Sequence, residues 1–291
     1  MNSIPGRNEA VQLLAWYAEM GVDLAMEDEP QDRFAETAAA HAVTGNASGG
    51  SPIQASRERP LPTLERAPSE RFSGERPPLV VPAAASTPAQ DVAVADARSR
   101  AREAKSLDEL RSILETYDGV PLKKTATKLV FADGNPQAKV MFVGEAPGME
   151  EDREGLPFVG RAGQLLDKML TAVGLDRTSV YIANILPWRP PGNRKPTPQE
   201  TELCLPFARR QIELVNPDIL VLLGGTPTSV LLGKDGIMKL RGQWHDYEID
   251  GRAIKALPTL HPAFLLRTPS QKKFAWRDFR ALKAELNAGV R

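Results

Sequence analysis

An apolar run, Val140-Met141-Phe142-Val143, feeds directly into Gly144-Glu145-Ala146-Pro147-Gly148. A run of that length bounded by glycine reads as a fully buried strand. Beyond the loop, residues 162–173 put Leu165, Leu166, Met169 and Leu170 on one helical face, the stripe of a helix that covers a sheet. A buried strand passed into a helix constrains the chain to a parallel α/β arrangement, because parallel strands need crossover connections. Loops at the carboxyl ends of such strands are where α/β proteins bind ligands. This loop is not a phosphate cradle. No Gly-Lys-Ser/Thr closes it, and Glu145 would repel a phosphate. A lone G-x-x-x-G also suits an ordinary βα turn, so the rest of the chain has to decide.

The alternation continues. Strands are expected at residues 140–143, 180–185, 219–223 and 253–257, and helices at 162–173, 199–215, 227–232 and 271–286. The predicted fold is a three-layer α/β/α sandwich with a central parallel four-stranded sheet, preceded by a mostly disordered N-terminal extension. Residues 91–104 read as an Ala/Arg helix. Ser106 caps a second helix, with Glu109 at the capping-box position and Leu107, Leu110, Ile113 and Leu114 apolar. Leu129-Val130-Phe131 reads as a short strand ended by Asp133-Gly134. The catalytic domain is placed at residues 91–291.

Ahead of it, residues 27–90 are rich in Pro, Ala and Ser and read as a disordered linker. Residues 1–26 contain an amphipathic helix with Val11, Leu14, Ala15 and Ala18 on one face and Gly21 as its stop. That face is expected to dock on the main domain or on a partner such as a repair or replication protein.

Charge is balanced overall but not along the chain. Residues 120–291 carry 25 Lys+Arg against 18 Asp+Glu, and residues 1–119 carry 12 against 19. The basic part suits a polyanion partner. Cys204 is the single cysteine, which excludes a disulfide framework and fits a reducing compartment. No apolar run approaches the roughly 20 residues of a membrane span, and the N-terminus has no signal-peptide core. A cytoplasmic monomer is expected.

Each predicted strand ends in unusual residues. Glu145 follows the first. Asn184 ends the second, ahead of Arg189-Pro190-Pro191-Gly192-Asn193-Arg194. Gly224-Gly225-Thr226 follow the third, and His261-Pro262 the fourth. Together with Gly155-Leu156-Pro157-Phe158-Val159-Gly160-Arg161, these motifs resemble the uracil-DNA glycosylase superfamily, most closely its family 4 enzymes. The resemblance covers roughly residues 107–286.

What it implies can be argued chemically. A glycosylase takes its base out of the stack and reads the exposed edge. Phe158 would stack on the flipped uracil. The Asn184 amide offers a donor and an acceptor, matching O4 and N3–H of uracil but not cytosine. His261 would stabilise negative charge developing at O2. Glu145, oriented by Asn193, would order the attacking water in place of an Asp that other branches carry where this chain has Ala146. Glu151 would sit near uracil C5 and exclude the thymine methyl group. Leu265 or Leu266 would fill the hole left by the flipped base, with Arg267 entering the minor groove. Gly225 and Thr226 would hold a phosphate at a helix N-terminus, and Arg194, Lys272 and Lys273 would contact the DNA backbone. No lysine lies in the motifs as a Schiff-base nucleophile, so a monofunctional enzyme is expected. The rivals are a non-catalytic uracil or abasic-DNA binding module, and a glycosylase for other deaminated bases.

The resemblance also implies a [4Fe–4S] cluster on four cysteines. The matching positions here are Tyr117, Val120, Trp188 and Cys204. One thiolate cannot hold such a cluster, so none is predicted.

Overall fold

The computed structural model describes residues 88–289. The predicted helix in residues 1–26 and the linker at 27–90 lie, but for the last three residues, outside them. Six strands make one sheet in the order β1-β3-β2-β4-β6-β5. The strands are β1 (Asp133–Gly134), β2 (Val140–Gly144), β3 (Val180–Asn184), β4 (Ile219–Leu223), β5 (His245–Ile249) and β6 (Arg252–Thr259).

The central four, β3-β2-β4-β6, are parallel as predicted. The sheet is wider than the four strands read from sequence, because an antiparallel strand is added at each edge. Leu129-Val130-Phe131 is not a strand. It is extended chain tied by the Val130 N–H to the Pro187 carbonyl at 2.9 Å, and the pairing with β3 begins at Asp133.

Alternation along the strands sorts the two layers. Met141, Val143, Tyr181, Ala183, Leu220, Leu222 and Ala256 join one core with three helices: α1 (Pro88–Glu103), α2 (Leu107–Thr116) and α5 (Pro198–Val215). Residues of the other parity face α4 (Arg161–Ala172) and α9 (Lys272–Asn287), where the rings of Phe142 and Phe279 stand 6.1 Å apart. Strands buried on both faces are why they read as unbroken apolar runs. Each fully buried Leu, Ile or Phe contributes about 1.5–3 kcal/mol.

The local rules hold at the helix ends. Ser106 Oγ accepts from the Glu109 N–H at 3.2 Å. Thr197 and Glu200 form a reciprocal capping box with Pro198 at the first helical position of α5. Short helices α3 (Met149–Glu154), α6 (Gly225–Leu232), α7 (Ile237–Leu240) and α8 (Pro262–Arg267) complete the α-helices of the described residues. Among the described residues no helix is long and apolar enough to cross a membrane.

Candidate active site

Because β2, β3, β4 and β6 run parallel, their carboxyl ends share one rim. The chain leaves β2 for β3 on one side and returns to β4 on the other, so the strand order reverses between β2 and β4. That switch point opens a crevice at the strand ends. Glu145, just past β2, and Thr226, in the first turn of α6 after β4, face each other across it. The Thr226 hydroxyl donates to Glu145 Oε2 at 2.5 Å. The expected partner of Glu145 was Asn193, and the structure does not bring the two together by a hydrogen bond. Asn193 is exposed, and its amide oxygen accepts from Arg189 Nε at 2.6 Å.

Asn184 ends β3 beside Gly144. A β-carbon at Gly144 would stand 2.4 Å from Asn184 Oδ1 and 2.6 Å from Phe158 Cζ. Only glycine lets the amide and the ring converge here. Asn184 is 5% exposed, and its Oδ1 has no hydrogen-bond partner. An orphaned buried acceptor costs about 1–3 kcal/mol and points to a ligand group that completes it.

Phe158 is buried and sits at φ 55°, a conformation rarely adopted by bulky residues. Its ring lies 5.5 Å from the His261 ring, centroid to centroid, tilted by 31°. The sequence held one sign of this packing. Gly163 lies inside helix α4, where a glycine costs about 1 kcal/mol against Ala. A β-carbon at Gly163 would overlap the Phe158 carbonyl oxygen at 1.6 Å.

His261 caps α8, and its Nδ1 accepts from the Ala263 N–H at 3.1 Å. The proton of the neutral ring therefore sits on Nε2. Burial, with the Arg267 charge adding to it, pulls the imidazole down to about 4. His261 is thus a neutral donor at physiological pH.

Glu151 braces the loop. Its Oε2 accepts from the Gly148 N–H at 3.0 Å and its Oε1 from the Gly160 N–H at 2.9 Å. Both ends of the segment that carries Phe158 are pinned by one buried carboxylate. Neighbouring Asp152 accepts from the N–H groups of Thr127 and Lys128 at 2.7 and 3.2 Å. Ala146 is half-buried between Glu145 and Pro147 and packs against the core.

Among the positions expected to contact DNA, the structure separates the two leucines. Leu265 is 1% exposed and packs inward, so it is corrected from wedge candidate to core residue. An (i, i+1) pair on a helix cannot face the same way. Leu266 is half-buried and Arg267 exposed. Gly225 is exposed at the start of α6, behind Gly224 at φ 99° and ψ −176°, a backbone open only to glycine. Arg194 is held by Glu200 through two hydrogen bonds of 2.8 and 2.6 Å. Lys273 is exposed with its ammonium 5.3 Å from the Phe274 ring. Lys272 is half-buried, and burial followed by the Lys168 charge lowers its pKa.

The Uracil DNA glycosylase superfamily profile matches residues 131–282. That span covers more than half of the chain and contains β1 to β6 with every rim residue described above. The chain belongs to the uracil-DNA glycosylase superfamily. It is 46% identical over 154 residues to the type-4 uracil-DNA glycosylase of Thermotoga maritima, covering 52% of this chain and 79% of that protein. It is 42% identical over 189 residues to the type-4 enzyme of Saccharolobus solfataricus (63% and 88%) and 38% over 183 residues to that of Archaeoglobus fulgidus (61% and 92%).

The family's cluster can be tested against the side chains at its four positions. Tyr117, Val120, Trp188 and Cys204 are all buried in one apolar core. The Tyr117 ring packs 5.2 Å from Phe207, and burial, with Asp96 next, pushes its phenol up to about 12. Burial also drives the Cys204 thiol far above its usual range, which opposes the thiolate a metal needs. Among the described residues no group of three or more His, Cys, Asp or Glu is arranged to hold a metal ion. A phenol, an isopropyl group and an indole filling three ligand positions do not fit a four-thiolate cluster.

Proposed function

We propose that this protein is a monofunctional uracil-DNA glycosylase of base excision repair, with residues 91–291 as its catalytic domain. The observation that carries the reading is Asn184. Its buried, orphaned Oδ1 stands beside a stacking ring and within a wall that also holds a neutral His donor. A flipped uracil supplies what that acceptor lacks: its N3–H bonds Oδ1 while O4 takes the amide N–H. Cytosine has an acceptor at N3 and a donor at position 4, so the same amide rejects it.

Phe158 stacks on the base. As the C1′–N1 bond breaks, its electron pair moves onto the uracil ring and charge grows at O2. The Nε2–H of His261 donates there, more strongly in the transition state than in the ground state. Water adds its oxygen to C1′. Glu145, fixed by the Thr226 hydroxyl, orients that water and receives its proton, and the products are uracil and an abasic site. Asn193 holds the Arg189 guanidinium at the rim. The Glu151 brace sets the wall beside C5 and leaves no room for the thymine methyl group. Leu266 fills the vacated stack and Arg267 follows it into the minor groove. Gly225 and the α6 N-terminus hold a phosphate, with Arg194, Lys272 and Lys273 along the backbone.

The test uses an oligonucleotide with one deoxyuridine, treated with the protein and then hot alkali. Strand scission at the uracil is expected, and none with thymine or cytosine at that position. Tight binding without scission would leave a binding module instead. Glu145→Gln, which keeps the shape and the Thr226 contact but cannot take a proton, is expected to lower single-turnover rates about 10²- to 10⁴-fold. Full turnover by that variant would remove Glu145 from the mechanism.

The protein is also proposed to act without an iron–sulfur cluster. The purified enzyme is expected to contain no stoichiometric iron. Cys204→Ala should keep wild-type excision while losing about 1–2 kcal/mol of stability from the small cavity. Loss of activity in that variant together with loss of bound iron would overturn the assignment.

A further inference from the structure

One arginine outside every motif touches the loop on which the base is proposed to stack. Arg177 lies in the turn between α4 and β3. Its Nη2 donates to the Phe158 carbonyl, and its Nη1 donates to the Pro157 carbonyl at 3.2 Å. The same guanidinium is fixed from two other directions. Nη1 bonds Asp133 Oδ2 on edge strand β1 at 2.6 Å, and Nε bonds Asp167 Oδ1 on α4 at 2.8 Å. These four contacts engage all three nitrogens of the planar cation.

Phe158 needs such a restraint. A bulky residue at φ 55° sits in the left-handed region that L side chains disfavour and holds it only when its surroundings fix it. Released, the backbone would turn to negative φ and carry the ring away from Gly144, Asn184 and His261. Gly163 makes room for the carbonyl but does not hold it. Glu151 pins Gly148 and Gly160 on either side of Phe158, not Phe158 itself.

We infer that Arg177 is a positioning residue for the Phe158 ring. Its guanidinium locks the 157–158 carbonyls so that the ring stands ready to stack before the base arrives. Asp133 and Asp167 aim it. This rests on the glycosylase reading above, and the two can fail separately.

A double-mutant cycle in the full-length protein tests it, with single-turnover excision of uracil from an oligonucleotide as readout. Arg177→Met alone is expected to lower the rate about 10- to 100-fold, the range in which small misplacements act. In a Phe158→Ala background the same substitution should change the rate by less than about twofold, since it acts through a ring no longer there. Independent, multiplying losses would overturn the inference. Arg177→Lys keeps the charge without the fork. It should show an intermediate loss that Phe158→Ala likewise absorbs, and it serves if the Met variant does not fold. Amide hydrogen exchange needs no activity. Arg177→Met should speed exchange in peptides spanning residues 155–164 and leave residues 219–232 at wild-type rates. Unchanged exchange at 155–164 would overturn the clamp even in an active enzyme. Faster exchange there in a protein that releases no uracil would retain the clamp and reject the glycosylase reading.

Discussion

Asn184→Ala is expected to lower single-turnover excision of uracil by at least about 10²-fold while leaving the melting temperature unchanged or slightly raised. The two effects have opposite origins. Alanine removes the donor and acceptor proposed to read the uracil edge, and contacts aimed at a reacting base cost roughly 10²–10³ when deleted. It also removes a buried acceptor that is unpaired in the free protein, relieving a desolvation penalty of about 1–3 kcal/mol. The small cavity left behind costs energy in the other direction. A residue kept for packing would behave differently, since truncation in a β-strand core at this burial should lower stability and activity together. Thermal unfolding and excision rates on one preparation separate the cases. A variant that loses several degrees of stability but retains most of its rate would return Asn184 to the core and take the base-reading role from it.

The parallel core was legible because burial on both faces writes an apolar run into each strand. β4 falls at residues 219–223 as read, and β2, β3 and β6 differ only at their ends. Chain order and crossover handedness then gather Glu145, Asn184, Thr226 and His261 at one rim without a coordinate. The edge strands were not read, for two reasons. β1 is two residues long and has no period to detect. β5 alternates polar residues around Tyr247, and its hairpin was announced by Asp250-Gly251, whose φ values of 48° and 74° suit a tight reversal. That dipeptide was the available signal for a fifth strand.

Inside the site the limit is different in kind. The choice of Thr226 over Asn193 as partner to Glu145 is made between residues 81 and 48 positions apart in the chain, and nothing local distinguishes them. Arg177 reaches Asp133 and Phe158 across 44 and 19 positions. Long polar side chains report their partners only in three dimensions. Leu265 and Leu266 were separable in principle, because neighbours on a helix point apart, but the helix Pro262–Arg267 had first to be recognised from Pro262 at its first position.

His261→Ala is expected to change the chemistry and the acid stability together, in a way only a neutral imidazole explains. On the chemical side, losing the Nε2–H donor should lower kcat about 10²- to 10³-fold with little change in KM, because the proposed contact would strengthen as charge develops at O2. On the stability side, the folded imidazole titrates at about 4 against roughly 6.5 in the unfolded chain. Between those values the unfolded state binds the proton and the folded state does not. Stability conferred by the wild-type fold is therefore lost as pH falls from about 6.5 to 4, and the loss levels off below. At about 1.4 kcal/mol per unit, the wild type should lose on the order of 2–3 kcal/mol across that window through this one group. Carboxylates elsewhere titrate in both proteins, so the difference between wild-type and His261→Ala unfolding curves at pH 7 and pH 4 isolates the histidine. The variant's curve should be flatter by that amount. The bond that Nδ1 accepts from the Ala263 N–H is absent from the variant at every pH and is broken in the wild type once Nδ1 takes the proton, so its loss is part of the same tilt. Excision by the wild type should show no acid limb near 6.5 arising from His261. An acid limb there that disappears in the variant would mean the folded imidazole titrates normally and donates as a cation.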